Sequence, residues 1–324
     1  MDRRSLLKGL SGAAALGLLP MTAPRAAEKT IVYVTAGLEL PFWRYLSKGI
    51  EGVVTKEGYS FAAVDSRENA ATQLKNAQDV IARGVAGICI SPTDSSTAPA
   101  VLDLAQKANI PVVVSDIGTN SGEYVSFVIS NNFEGAYGVG QALAAALKEK
   151  GWTDGSVGLI TISQARKNGQ ARTAGFRKAM QEAGITKEAG LQQMVNYTPE
   201  ETFKFVQDML TANPAMRGLF VQTDDPTTGA LRAIKAGRRE GQVLVAAFDG
   251  TPTLVKQIQA GEVVGSGMQQ PYLMGVKSGE ALVAHLKGQS VPKETSVPII
   301  TVTSKNVAEL LPTIKTTVFA NELT

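Results

Sequence analysis

The stretch "TIVYVTAGLELPFWRYLSKGIEGVV", residues 30–54, holds a strand, a turn and a helix in one run. Its first seven residues are almost continuously apolar, as a parallel strand covered on both faces is. After the turn, Phe42, Leu46, Ile50, Val53 and Val54 recur at helical spacing and mark one apolar face. The turn itself is unusual. Such connections are normally small and polar, yet this one carries Pro41, Phe42 and Trp43 in succession. One of the chain's two tryptophans stands here, with a ring on its N-terminal side. One ring is expected to pack partly inward and the pair to wall a ligand site.

The same alternation continues along the chain. Apolar strands are predicted at "FAAVDS", "AGICISP", "IPVVVSD", "SVGLITI", "GLFVQTD" and "VLVAAFD". Between them, "TQLKNAQDVIARG" and "TAGFRKAMQEAG" read as amphipathic helices stopped by Gly84 and Gly184. This pattern predicts an α/β fold with parallel sheets. At 324 residues, two domains are expected. The first runs from about Glu28 to Ser130, and the second opens with a long helix after Asn131 and Asn132. Beyond residue 303 the periodicity weakens.

Residues 1–27 are set apart from this core. Arg3 and Arg4 precede the apolar run "LSGAAALGLLP" and then "APRAAE", the order of a cleaved export signal. "DRRSLLK" resembles the twin-arginine consensus, with Leu6 in place of the usual aromatic, and an ordinary Sec signal is the alternative. Cleavage is expected near Ala26 or Ala27, which places the mature chain in the periplasm. The whole chain has 32 basic and 29 acidic residues; losing Arg3, Arg4, Lys8, Arg25 and Asp2 leaves 28 of each. No charge excess then favours nucleic acid or anionic lipid.

Cys89 is the one cysteine, read as a buried strand residue, and His285 the one histidine, read as a surface or half-buried helix residue. A zinc or haem site needs several such ligands, and a serine triad would have to use His285. Neither a metal nor a cofactor is expected. "GVGQAL" at 138–143 lies within a predicted helix, so its glycines do not form a phosphate loop.

In open parallel sheets, ligands bind beyond the carboxyl ends of the strands. There the sequence places the aromatic pair, Asp116, Thr223, Asp224, Asp225 and Asp249, together with "SQARKNGQARTAGF" and "GSGMQQP". The first of these runs carries Arg166, Lys167, Asn168 and Arg172, and the second carries Gln269 and Gln270. An Asp before a helix is often only an N-cap. Asp225, ahead of "PTTGALRAI", reads as that cap, which leaves Asp224 as the ligand candidate. Carboxylates that accept from paired hydroxyls, Arg and Gln that donate, and rings that cover C–H faces suit a neutral polyhydroxy ligand.

At this point the chain resembles the periplasmic sugar-binding proteins of the ribose-binding type, which feed ABC importers. "LPFWRYLSKGIEGVVTKEGY", "ISPTDSSTAPAVLDLAQKANIPVVVSD", "QARTAGF", "TANP", "TDDPTTGALRAI" and "AAFDGTP" match segments of that family in order, over about Lys29 to Val302. The resemblance implies two doubly wound parallel-sheet lobes joined by a three-segment hinge. The N-terminal lobe would be 28–130 plus about 270–298, and the C-terminal lobe 131–269 plus about 299–324. It implies ligand contacts at Phe42, Trp43, Asp116, Arg172, Tyr197, Thr223, Asp249 and Gln269, with Asp224 added from the strand-end reading. Truncating Arg172 or Asp249 is then expected to weaken binding and leave the fold intact. It also implies a monomer that captures a sugar or sugar alcohol and docks on a membrane permease. Three positions depart from the ribose binders: Leu40 replaces an Asn, Ile117 an Arg and Thr223 an Asn. A different sugar or a polyol is therefore as good a reading as ribose. The alternatives are an exported carbohydrate-active enzyme using Asp116 and Asp249 as its carboxylates, and a sugar sensor partner without transport.

Overall fold

The computed structural model describes residues 28–322; the expected export signal, residues 1–27, lies outside that range. In chain order the elements are β1 (Glu28–Thr35), α1 (Pro41–Val54), β2 (Ser60–Asp65), α2 (Ala70–Arg83), β3 (Val85–Ile90), α3 (Ala98–Lys107), β4 (Val112–Ser115) and β5 (Ser126–Ser130). Then come α4 (Asn132–Glu149), β6 (Ser156–Thr161), α5 (Lys167–Glu182), β7 (Glu188–Gln193), α6 (Pro199–Ala212), β8 (Met216–Val221), α7 (Asp225–Ala236) and β9 (Leu244–Phe248). Last are α8 (Pro252–Gln259), β10 (Gly265–Met268), α9 (Pro271–Leu286), β11 (Glu294–Val297), β12 (Ile300–Thr303) and α10 (Val307–Thr317).

These strands make two six-stranded sheets, ordered β11-β5-β4-β3-β1-β2 and β12-β10-β9-β8-β6-β7. All neighbours are parallel except β10 with β12. Each sheet is doubly wound, with its order reversing between β1 and β3 in one and β6 and β8 in the other. The chain passes from the first sheet to the second between β5 and α4. It returns at Gln269–Gln270, where α9 goes back to pack on α1, and crosses again at Pro298–Ile299.

The near-continuous apolar strands have a simple cause. On β1, Ile31 and Tyr33 join one hydrophobic cluster, with Leu46, Ile50 and Leu282 from α1 and α9. Val32 and Val34 join another, on the α2 and α3 side. Alternate side chains serve opposite faces, and both faces are covered by helices. The second sheet does the same, with Leu159 and Phe220 on one face and Ile160 and Val221 on the other.

Helix α1 departs from the one-face reading. Trp43, Tyr45, Ser47 and Gly49 are buried along with Leu46, Ile50 and Val54. It is clasped on several sides. Gly49 and Gly275 let α1 and α9 touch backbone to backbone, since a Cβ on Gly275 would stand 2.0 Å from the Leu46 carbonyl oxygen. Tyr45 leaves the first lobe's core and packs on Phe319 at the end of the chain, 5.7 Å between ring centroids. The helix that carries the aromatic turn is thereby fixed against both lobes.

The tail beyond residue 303, weakly periodic in sequence, forms α10 and ends in the fully buried Val318 and Phe319. His285 is exposed on α9, and Cys89 is buried on β3. Trp152 is half-buried, with the Arg217 guanidinium 5.2 Å above its ring.

Candidate functional site

The carboxyl ends of both sheets face one cleft, and a cavity there is lined by Leu40, Phe42, Trp43, Asp116, Arg166, Asn168, Arg172, Tyr197, Thr223, Asp249 and Gln269 along with Ile162. The aromatic turn is built by its own residues. Pro41 opens α1 in the position where a missing N–H costs nothing, and Leu40 before it has no side-chain acceptor for a cap. Arg44 Nη1 instead donates to the carbonyls of Leu38 and Glu39 at 2.8 and 2.7 Å, tying the turn to the helix. Phe42 and Trp43 meet edge to face, 4.8 Å between centroids. Trp43 is the inward ring, 4% exposed in the first lobe's core, and Phe42 is half-buried. The Trp43 indole N–H donates to Glu68 Oε1 at 3.2 Å, so towards the cavity this ring offers an apolar surface alone.

Asp116 and Asp249 occupy matching places in the two lobes. Each follows a strand with positive φ, 64° and 61°, and each still donates its main-chain N–H to the neighbouring strand. Tyr197 shares this left-handed conformation at 55°. Non-glycine residues rarely adopt it, and it gathers at functional sites. Here it turns the side chain sharply off the sheet edge into the cleft.

Arg172 is the hub of the second lobe's wall. It stands one turn after Asn168 on α5, so both lie on one helix face. Its Nε donates to Asn132 Oδ1 at 2.7 Å, and Nη1 donates to the Gln222 carbonyl at 2.6 Å and to Asp249 Oδ2 at 2.9 Å. The guanidinium lies 4.0 Å from the Phe248 ring centroid. Three of five N–H groups are thus spent within the protein, and the two on Nη2 are not. Gln269 Nε2 donates to the other Asp249 oxygen at 3.0 Å. Burial pushes the Asp249 carboxyl up, while Arg172 and Gln269 pull it back.

Of the buried acceptors on the cavity-lining side chains, Asp116 Oδ1 and Gln269 Oε1 find no hydrogen-bond partner among the described residues. Buried acceptors are seldom left so, and these two call for donors in the cavity.

The structure corrects the reading of the aspartate pair. The cap of α7 is Asp224, whose Oδ1 accepts from the Asp225 N–H at 2.8 Å. Asp225 already has helical geometry, because the helix starts one residue earlier than the pattern shows. Asp224 is not among the cavity-lining residues, whereas Thr223 is. Burial, with Asp249 and Asp225 nearby, raises the Asp224 carboxyl. Tyr197 lines the cavity, and its hydroxyl accepts from the Ser163 N–H at 3.2 Å.

Arg166, Lys167 and Asn168, which the sequence places at a strand end but not among the implied ligand contacts, join Glu68, which the sequence does not point out, at the rim of the cavity. Asn168 Nδ2 donates across the cleft to Asp116 Oδ2 at 3.1 Å. Arg166, buried over the Tyr197 ring, donates Nε to the Thr93 carbonyl at 2.8 Å and pairs with Glu68 of the first lobe. Glu68 therefore holds Trp43 with one oxygen and Arg166 with the other. Next to them, Lys167 Nζ donates to the Thr119 carbonyl at 3.0 Å. The start of α5 thus ties down the loops after β2, β3 and β4. The signal for Glu68 was its place just after a strand, and for Asn168 its spacing of four from Arg172.

Two open α/β lobes that meet at their strand ends, with a buried polar cavity between them and three chain crossings behind it, define a two-lobed solute-binding protein. The family model for the periplasmic binding protein domain matches residues 31–290. Among curated relatives, the ribose import binding protein of Escherichia coli strain K12 is 32% identical over 280 residues, 86% of this chain and 92% of that protein. The D-ribose/D-allose-binding protein of Pseudomonas aeruginosa is 28% identical over 304 residues, covering 90% and 93%. A carbohydrate transporter solute-binding protein of Agrobacterium radiobacter, solved with D-arabinose, superposes with a TM-score of 0.82 at 23% identity, covering 91% of this chain and all of that one. This chain belongs to the periplasmic binding protein family, as the ordered segment matches implied. It is a binding protein and not an enzyme, which sets aside the glycosidase reading of Asp116 and Asp249.

Proposed function

We propose that the chain captures a sugar or sugar alcohol between its lobes in the periplasm and delivers it to the membrane permease of an ABC importer. The observation that carries this is the cavity's composition: the Phe42 and Trp43 rings together with the unpartnered acceptors Asp116 Oδ1 and Gln269 Oε1 and the spare Nη2 donors of Arg172. A sugar offers an apolar C–H face to the rings and a rim of hydroxyls that both donate and accept. The lobes, 28–130 with 270–298 and 131–269 with 299–324, close as units about the three crossings. The closed cavity is narrow, with about 30 Å³ open to the centre of a water molecule. Ligand entry therefore requires the lobes to part.

The ligand we infer differs from ribose in its polar rim. Leu40 presents an apolar side chain to the cavity, and Ile117 turns away into the first lobe's core. Arg166 and Asn168 supply polar groups in their place. A thermal-shift panel of D-ribose, D-allose, D-arabinose, L-arabinose and myo-inositol tests the reading. A ligand at 100 times its Kd stabilises the protein by about 2.7 kcal/mol. A panel without a single shift would count against sugar capture. We read the mature protein as a monomer cleaved near Ala26 or Ala27 after twin-arginine export. Light scattering checks the first, and an N-terminus elsewhere than Ala27 or Glu28 in the exported protein would refute the second.

Affinity should depend on pH. Burial, aided by Asp249 and opposed by Arg172 and Arg166, pushes the Asp116 carboxyl up to about 6. The folded chain then keeps a proton that an unfolded aspartate loses near about 3.9. That contribution to stability is full below about pH 4 and lost as pH rises through 6. A hydroxyl donating to Asp116 favours the carboxylate, so affinity should rise between about pH 5 and 7 and then level. Calorimetry in two buffers would show the released proton, and Asp116→Asn should abolish the trend.

Glu68→Gln leaves Arg166 buried without its counter-charge. Ligand release should quicken about tenfold or more while the association rate changes little. Stopped-flow fluorescence reads both rates. Equal release from the two proteins would mean that the pair does not hold the closed form.

A further inference from the structure

A second chamber opens beside the sugar cavity. It has a volume of about 370 Å³ and shares only Asp116 and Asn168 with the narrow cavity. Its walls come from both lobes. Phe127 and Ser296 of the first and Phe133 and Ala171 of the second face it, with Lys167 and Glu294 among its polar lining. The Asn168–Asp116 hydrogen bond, 3.1 Å, is the partition between the two spaces. Both partition residues are nearly fully buried.

We propose that this chamber is a subsite for the substituent of an O-glycoside, so that the protein accepts glycosides as well as free sugars. The inference rests on the sugar reading above. Its chemistry follows from the partition. Asn168 spends one of its two amide hydrogens on Asp116, and the second is left to donate. A glycosidic oxygen accepts but cannot donate, so it suits Asn168, whereas Asp116 Oδ1 is left for a neighbouring hydroxyl. The half-buried rings of Phe127 and Phe133 would flank an aglycone or second ring, and Ser296 and Lys167 offer donors along its edge. The chamber has room for such a substituent.

Calorimetry with D-ribose, D-allose, D-arabinose and L-arabinose, each beside its benzyl glycosides, tests this on the full mature chain. The sugar that binds best should have a benzyl glycoside whose affinity lies within about tenfold of its own. Ser296→Phe fills the chamber from the exposed edge of β11, and Ala171→Phe fills it from α5; neither residue lines the sugar cavity. Each should weaken the glycoside by about tenfold or more and the free sugar by no more than about twofold. A wild-type protein that binds a free sugar and rejects all its glycosides would overturn the chamber and spare the sugar reading. Glycosides that bind both filled variants as tightly as wild type would also overturn it. Rejection of all the free sugars and all the glycosides would remove sugar capture and the chamber together.

Discussion

Arg172→Ala should lower ligand affinity by at least about a hundredfold and unfolding free energy by about 3–5 kcal/mol. Both losses follow from the same three bonds. The guanidinium is buried at 2% exposure and holds Asp249, the Gln222 carbonyl and Asn132 at once. Truncation leaves Asp249 buried beside Asp224 without the guanidinium that pairs with it. The expectation from sequence, that the fold would survive this change intact, is therefore revised. An arginine whose donors are mostly spent on its own protein is a structural member as well as a ligand group. Urea unfolding measures the stability loss, and calorimetry the affinity. Adding Asp249→Asn to Arg172→Ala should return part of the stability, because the unpaired charge is then gone, and none of the affinity. An Arg172→Ala protein with an unchanged denaturation midpoint would show that the buried pair contributes nothing to the fold.

The fold was legible because it is written in repeats of one unit. An apolar run such as "AGICISP" is too continuous for a half-exposed strand, and most such runs are followed by a periodic helix, some of them stopped by a glycine such as Gly84. The strand-end rule then located Asp116, Thr223 and Asp249 without coordinates. Short or polar strands escaped. β7 reads "EAGLQQ" and β10 "GSGM", and neither carries the β-branched signal; their neighbours in the sheet dictate them. The polar run at the start of α5 was harder still. The strand-end reading names Arg166 and Asn168, but in one dimension nothing says that their partners are Glu68 and Asp116. Arg166 and Asn168 are buried only because the first lobe, whose partner residues stand some fifty to a hundred positions earlier in the chain, closes over them. Glu68 fails for the same reason: nothing near it in sequence needs a carboxylate. Asp224 and Asp225 were exchanged because a helix boundary moved by one residue, which pattern alone does not fix.

The aromatic turn gives the other large effect. Trp43→Ala should cost about 3–5 kcal/mol of stability in the ligand-free protein, because Trp43 is a core ring of the first lobe as much as a wall. Its affinity loss would then be hard to separate from a disturbed lobe. Phe42 makes the separation. It is half-buried, lines the cavity and leans edge-on against Trp43. Phe42→Ala should reduce affinity by about tenfold to a hundredfold and stability by about 1 kcal/mol, since it removes ligand-facing area more than core. Trp43→Phe keeps a ring and loses the donor to Glu68, leaving that carboxylate to Arg166 alone. It should weaken binding less than Phe42→Ala does. Ligand addition should also change tryptophan fluorescence in wild type and not in Trp43→Phe, because Trp152 lies in the second lobe against Arg217, outside the cavity lining. A Phe42→Ala protein that binds its sugar as tightly as wild type would show that the ring pair serves packing, and the question raised by a bulky turn between strand and helix would have the plainer answer.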